Sequence, residues 1–213
     1  MQLLASLVSV MIAAASYEVP ALKTASEGTR YEVSIRTLSA LNEDVGKEGY
    51  LVSPEVDPIL LAANQYFESR FRTYVDDGDC TFYATRICRA VGPMQIHRGA
   101  SSWVARLDPT LNAGTVGELR MPERNVRAGY AILKHWKQTC GGTPGVWMTA
   151  YRSASGCPKK SHVDDNASAR CAVATAMLQA TGKLPVGWVC GHEDRKPSRR
   201  LSGLIGAILK DGV

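Results

Sequence analysis

Several absences narrow the reading of this 213-residue chain at once. No cysteine lies in a CxxC pair, and His97, His135, His162 and His192 fall at no zinc-site spacing, which argues against a metal centre. Nothing in the pattern implies a cofactor. The apolar run Leu3–Ala15 is too short to span a bilayer, and no other segment is longer or more apolar. There is no basic helix and no interleaved aromatic platform, which argues against nucleic acid as a partner. No internal repeat is visible, so the length favours one domain with appendages.

What is present is ordinary for a soluble globular protein: 45% hydrophobic residues, 21% charged, and enough chain to bury a core unaided. The formal net charge of +5 suits an anionic partner such as a cell-wall polymer, a membrane surface or nucleic acid, or simply a solvated basic surface. Six cysteines, Cys80, Cys88, Cys140, Cys157, Cys171 and Cys190, fit disulfides in an oxidising compartment better than reduced buried thiols. Sequence does not choose the pairing; Cys80 with Cys88 is the most local option.

Residues 1–16 read as the apolar core of a secretory signal ending Ala13-Ala14-Ala15-Ser16, although no Lys or Arg precedes it. A membrane-tethering or packed N-terminal helix is the alternative. Residues 17–56 are poorly periodic and read as a linker or small appendage, with a turn at Glu43–Gly49. The main domain is expected over 57–181, and 182–213 is a tail.

Within the domain, Asp57-Pro58 opens a helix whose stripe is Leu60, Ala63 and Phe67, with Glu68 beside it near the C-terminal end. Residues 72–90 read as a loop or short hairpin, with a turn at Asp76-Asp77-Gly78-Asp79 and a strand at Thr81–Thr85. Pro122 starts a helix with Val126, Tyr130, Leu133 and Trp136 on one face, and Gly141-Gly142 stops it. Shorter helices follow from Pro144 to about Tyr151 and from about Asn166 to Gln179, the latter with Val173, Met177 and Ala180 on one face. The tail from Arg199 to Lys210 is amphipathic and packs on the domain or docks on a membrane or partner. The fold class is therefore mainly α, an α+β arrangement with a small hairpin beside Glu68.

A Glu at the edge of an apolar face can serve as an acid, because desolvation disfavours the charged carboxylate. Most glycosidases need a second carboxylate, but substrate-assisted cleavage does not. The nearby acids Asp76, Asp77 and Asp79 are most simply turn residues.

Four segments together resemble one family. Glu68-Ser69-Arg70-Phe71 resembles the E-S-x-F motif of the soluble lytic transglycosylase (SLT) domain, a member of the lysozyme-like superfamily. Gly92-Pro93-Met94-Gln95 is similar to its G-x-M-Q motif, Asn125-Val126-Arg127-Ala128-Gly129 to its N-I-x-x-G segment, and Ala150-Tyr151-Arg152-Ser153-Ala154-Ser155-Gly156 to its A-Y-N-x-G motif. The resemblance implies an enzyme acting on peptidoglycan glycan strands. Glu68 would protonate the bond between N-acetylmuramic acid and N-acetylglucosamine and then act as base. The muramic N-acetyl group would assist, and the sugar's own 6-hydroxyl would close a 1,6-anhydro ring. Gln95 would bond the sugar, Met94 line the cleft, Tyr151 place a phenol near Glu68, and Ser69 support the turn or touch substrate. Asn125 reads as a tie between helix and loop.

Arg152 stands where the family carries Asn, and Arg86, next to Thr85, stands where a Ser orients the catalytic Glu. The resemblance implies an extracytoplasmic setting, exported or carried on a virion or secretion machine. A lysozyme-type hydrolase and a non-catalytic wall-binding component are the alternatives.

Overall fold

The computed structural model describes residues 2–18, 25–73, 90–97, 100–111, 116–153, 156–158, 163–191 and 197–211. The architecture is mainly helical with one small antiparallel sheet, in line with the lysozyme-like expectation. In chain order the elements are α1 (Gln2–Glu18), α2 (Ala25–Glu48), α3 (Asp57–Ser69), β1 (Ala90–Val91), β2 (Ile96–His97), α4 (Ser101–Leu107), a 3₁₀ turn at Pro109–Leu111, α5 (Val116–Leu119), α6 (Pro122–Cys140), α7 (Pro144–Ser153), α8 (Asp165–Ala180) and α9 (Arg199–Asp211).

Helix α3 is the axis of the fold. Every residue from Asp57 to Tyr66 is buried, and both α2 and α8 pack against it. A helix buried on every side has no water-facing stripe and belongs in the middle of a bundle, and its few polar residues, Asp57, Asn64 and Gln65, are bonded inside. Asp57 is its first residue and not its cap. Its carboxylate reaches back to accept the N–H groups of Leu51, Val52 and Ser53 and the Tyr130 hydroxyl. It therefore closes the turn before α3, and burial pushes its carboxyl above the usual range against the pull of those donors.

The apolar run Leu3–Ala15 forms α1, with Leu7, Val10, Met11 and Ala14 buried against α2, α3, α8 and α9. Among the described residues, no helix is long and apolar enough to cross a membrane. The turn expected at Glu43–Gly49 is absent, because α2 continues to Glu48. The buried positions of α2 are Tyr31, Ser34, Ile35, Leu38, Ser39, Asn42, Val45 and Gly46, a regular helical stripe written partly in small and polar residues. Those residues are satisfied within and between helices: Asn42 and Gln65 of α3 exchange two amide hydrogen bonds at 2.9 and 2.8 Å, and the Ser39 hydroxyl returns to the Ile35 carbonyl of its own helix at 2.8 Å. A stripe of this composition carries little hydrophobic signal in sequence, which is why it reads as a linker.

Helices α6, α7, α8 and α9 match their sequence boundaries closely, whereas α4 and α5 had no expected counterpart. Helix α6 begins at Pro122 and ends at Gly141, whose φ of 62° needs a residue without a Cβ. The hairpin is displaced from its expected place. Its strands pair Ala90 with His97 and Val91 with Ile96, so Gly92–Gln95 is itself the turn. The strand expected at 81–85 and the acidic turn at 76–79 lie outside the described residues, as do Cys80, Cys88, Thr85 and Arg86. Disulfides Cys140–Cys157 and Cys171–Cys190 tie the end of α6 and the middle of α8 to the segments that follow α7 and α8.

Candidate active site

Glu68 lies one residue before the end of α3, with 18% of its side chain exposed. The helix stops abruptly. Arg70 and Phe71 both adopt left-handed backbone, at φ 54° and 62°, although neither is Gly. Gln95 is the other non-Gly residue with positive φ among those described, at 48°. Such conformations cost on the order of 1 kcal/mol each and persist where surrounding contacts enforce them. Here they bracket two of the motifs. Part of the enforcement comes from α2, whose Tyr31 hydroxyl donates to the Arg70 carbonyl and whose Ser34 hydroxyl meets that of Thr73 at 3.1 Å.

The Gly92–Gln95 turn is clamped by Asn125 on α6. The Asn125 amide donates to the carbonyls of Val91 at 2.8 Å and Leu119 at 2.7 Å, while its oxygen accepts the Met94 N–H at 2.7 Å. Gly92 is required twice over: its φ is 71°, and a Cβ there would lie 2.5 Å from the Asn125 amide. Gly129, one turn along α6, gives room to the Met94 side chain, which a Cβ would meet at 2.4 Å. Asn125 and Gly129 therefore shape the turn from one helix face.

Tyr151 on α7 closes the arrangement. Its phenol donates to the Met94 carbonyl at 2.7 Å. Desolvation, reinforced by the Glu68 charge, raises the phenol well above its ordinary value, so it stays neutral at any working pH. The structure thus brings Glu68, Met94 and Tyr151 to one wall. Met94 is fully buried. The Gln95 amide bonds the Gly92 carbonyl at 2.8 Å from a half-buried position, and the buried Ser69 hydroxyl is used on the Gln65 carbonyl at 3.1 Å.

Sequence reasoning missed Arg170. This residue of α8, only 3% exposed, places Nη1 2.8 Å from Glu68 Oε1. The same nitrogen donates to Asn64 Oδ1, Nε donates to Asn166 Oδ1 at 2.7 Å, and the guanidinium lies 5.4 Å from the Phe67 ring centre. The available signal was its place on the α8 stripe, three residues before Val173 and seven before Met177. A charge on an apolar stripe needs a buried partner. Arg152 is exposed and pairs with Asp164 at 2.8 Å.

Other features fall outside this wall. A cavity of about 760 Å³ lies between α8, α9 and the 184–191 segment, lined by Ala172 and Ala176 on the face of α8 opposite Arg170 and by Trp188. Trp147 and Trp188 are fixed through their indole N–H groups to Gly141 and Thr175, and Trp103 packs on His135 and Trp136. Among the described residues no group of three or more His, Cys, Asp or Glu could hold a metal ion.

The transglycosylase SLT domain family matches residues 49–171, more than half of the chain and all of the wall just described. The chain belongs to that family, whose members are lytic transglycosylases acting on peptidoglycan. No curated protein and no solved structure matches it.

Proposed function

We propose that this protein is a peptidoglycan lytic transglycosylase in which Glu68 is both acid and base. The observation that carries this reading is the placing of one half-buried carboxylate at the strained end of α3, on the wall formed by the Met94 turn and Tyr151. In the first step Glu68 gives its proton to the glycosidic oxygen as the bond to muramic C1 breaks, and the muramic N-acetyl oxygen bonds to that carbon. In the second step the Glu68 carboxylate takes the proton of the 6-hydroxyl, which displaces the acetamido oxygen and closes the 1,6-anhydro ring. Holding that hydroxyl on the same sugar replaces an encounter with water, which removes the need for a second carboxylate.

The Gly92–Gln95 turn would form the cleft wall, with Met94 buried beneath it as its support, Gln95 toward the acetamido groups and Ser69 bracing the end of α3. The disulfides Cys140–Cys157 and Cys171–Cys190 suit work in an oxidising, extracytoplasmic compartment, where the substrate is found. The test is digestion of purified peptidoglycan followed by mass spectrometry. Muropeptides lighter by one water than hydrolysed ones are expected. Reducing ends would instead make the protein a lysozyme-type hydrolase. Intact glycan after incubation with folded protein would leave a non-catalytic wall-binding component.

A further inference from the structure

Arg170 holds a specific position relative to the atoms that Glu68 must use. Its Nη1 binds Oε1, and a guanidinium has donors but no acceptor. An oxygen that already accepts from it cannot direct a proton of its own toward it. The proton of an acidic Glu68 therefore belongs on Oε2. The other hydrogen-bond partners of Arg170 are the neutral amides of Asn64 and Asn166, so Glu68 is the one carboxylate paired with this cation among the described residues. Tyr151, the other titratable group shown facing the pair among the described residues, keeps its proton and donates it to the Met94 carbonyl.

We propose that Arg170 is a positioning residue for the acid step, an inference that rests on the transglycosylase reading above. It pins Oε1, leaves Oε2 as the atom that carries the proton to the glycosidic oxygen, and stabilises the carboxylate that forms as that proton leaves. Measured from the protonated acid, the charge on Glu68 grows along the bond-breaking coordinate, so a fixed cation beside it helps the transition state more than that acid; the same cation also favours the ionised carboxylate, so kcat is compared on the acid plateau of the pH profile. The electron pair of the broken bond stays on the glycosidic oxygen with the transferred proton, and Arg170 itself gains and loses nothing.

The role predicts a dependence on the leaving group. A dinitrophenyl glycoside of an N-acetylmuramic acid–containing disaccharide departs without protonation, whereas the sugar alcohol of peptidoglycan does not. Arg170→Gln is expected to lower kcat on peptidoglycan by about 10²-fold with KM little changed, and Arg170→Lys to recover roughly ten-fold of that loss. On the dinitrophenyl glycoside Arg170→Gln should stay within a few-fold of the parent protein. An equal loss on both substrates, or an unchanged kcat on peptidoglycan, would overturn the proposal. Should Arg170→Gln fail to fold, Asn166→Ala decides, because it frees Nε and keeps the cation. A few-fold kcat loss confined to peptidoglycan supports the role, and no difference between substrates removes it. Failure of the parent protein on peptidoglycan would sink the activity reading instead.

Discussion

The wall around Glu68 and the helical cover made by α1, α2 and α9 are built on opposite terms. The wall lies inside the family match, and the cover outside it. In the wall, stability is given up: three non-Gly residues hold left-handed backbone, and a guanidinium is almost fully buried. In the cover, Leu7, Met11, Ile35, Leu38, Leu204 and Ile208 are buried, and the buried polar side chains of α2 are bonded at short range. Replacing a buried ion pair by apolar groups is often neutral or stabilising, so the Arg170–Glu68 pair is poor evidence for a stability role. Its presence beside the one acid of the wall among the described residues makes better sense as chemistry. The contrast teaches that the two regions should respond to substitution in different currencies, activity for one and folding for the other.

The sharpest way to break that contrast is Glu68→Gln. Losing the transferable proton should lower kcat by about 10³-fold or more, since proton transfer alone is worth roughly 10²–10⁴. Gln can still accept from Arg170 but leaves its charge unpaired, so a stability loss of about 1–3 kcal/mol should accompany it in urea titration. Retention of full activity would remove Glu68 as the acid. Leu38→Ala tests the cover from the other side. Leu38 is completely buried on α2, and its truncation should cost about 2–5 kcal/mol while kcat per folded molecule stays put. A large kcat change at full folding would show that the cover is not merely a cover.

Tyr31→Phe probes the seam between the regions. The lost hydroxyl bond to the Arg70 carbonyl should cost about 1 kcal/mol. Because that bond braces the left-handed turn after Glu68, kcat on peptidoglycan should also fall a few-fold. An unchanged kcat would mean that the turn holds its shape without α2.

The same contrast explains what sequence could and could not reveal. Helices α3, α6, α7, α8 and α9 announce themselves through Pro and Gly punctuation and apolar periodicity, and the structure places them within a few residues of those signals. Helix α2 does not, because Ser34, Ser39, Asn42 and Gly46 occupy core positions that only a partner surface makes suitable. The hairpin strands are two residues each, too short to alternate visibly, so the turn motif was legible and the strands beside it were not. At the site, the residues that belong to local motifs could be named, and Asn125 could be assigned its tie. Arg170 could not, because it reaches Glu68 across 102 positions of chain and its meaning lies in that pairing alone.

Arg152 supplies the smallest and most discriminating comparison, since of the two cations that sequence placed at the site it is the one among the described residues, in the position where the family carries Asn. In the structure it is exposed and pairs with Asp164, whose other oxygen caps α8 by accepting the Ala167 N–H at 2.7 Å. An ion pair of this exposure contributes between nothing and about 1 kcal/mol, and salt screens it. The cap does not depend on it, because Asp164 keeps its bond to Ala167 when the arginine is gone. Arg152→Ala should therefore lower stability by less than about 1 kcal/mol and leave kcat within about two-fold, while Arg170→Gln on the next helix lowers kcat by orders of magnitude. A ten-fold loss in Arg152→Ala, measured on peptidoglycan at equal folded concentration, would mean that Arg152 leaves Asp164 to meet the glycan, and that the difference between the two arginines is one of timing and not of place.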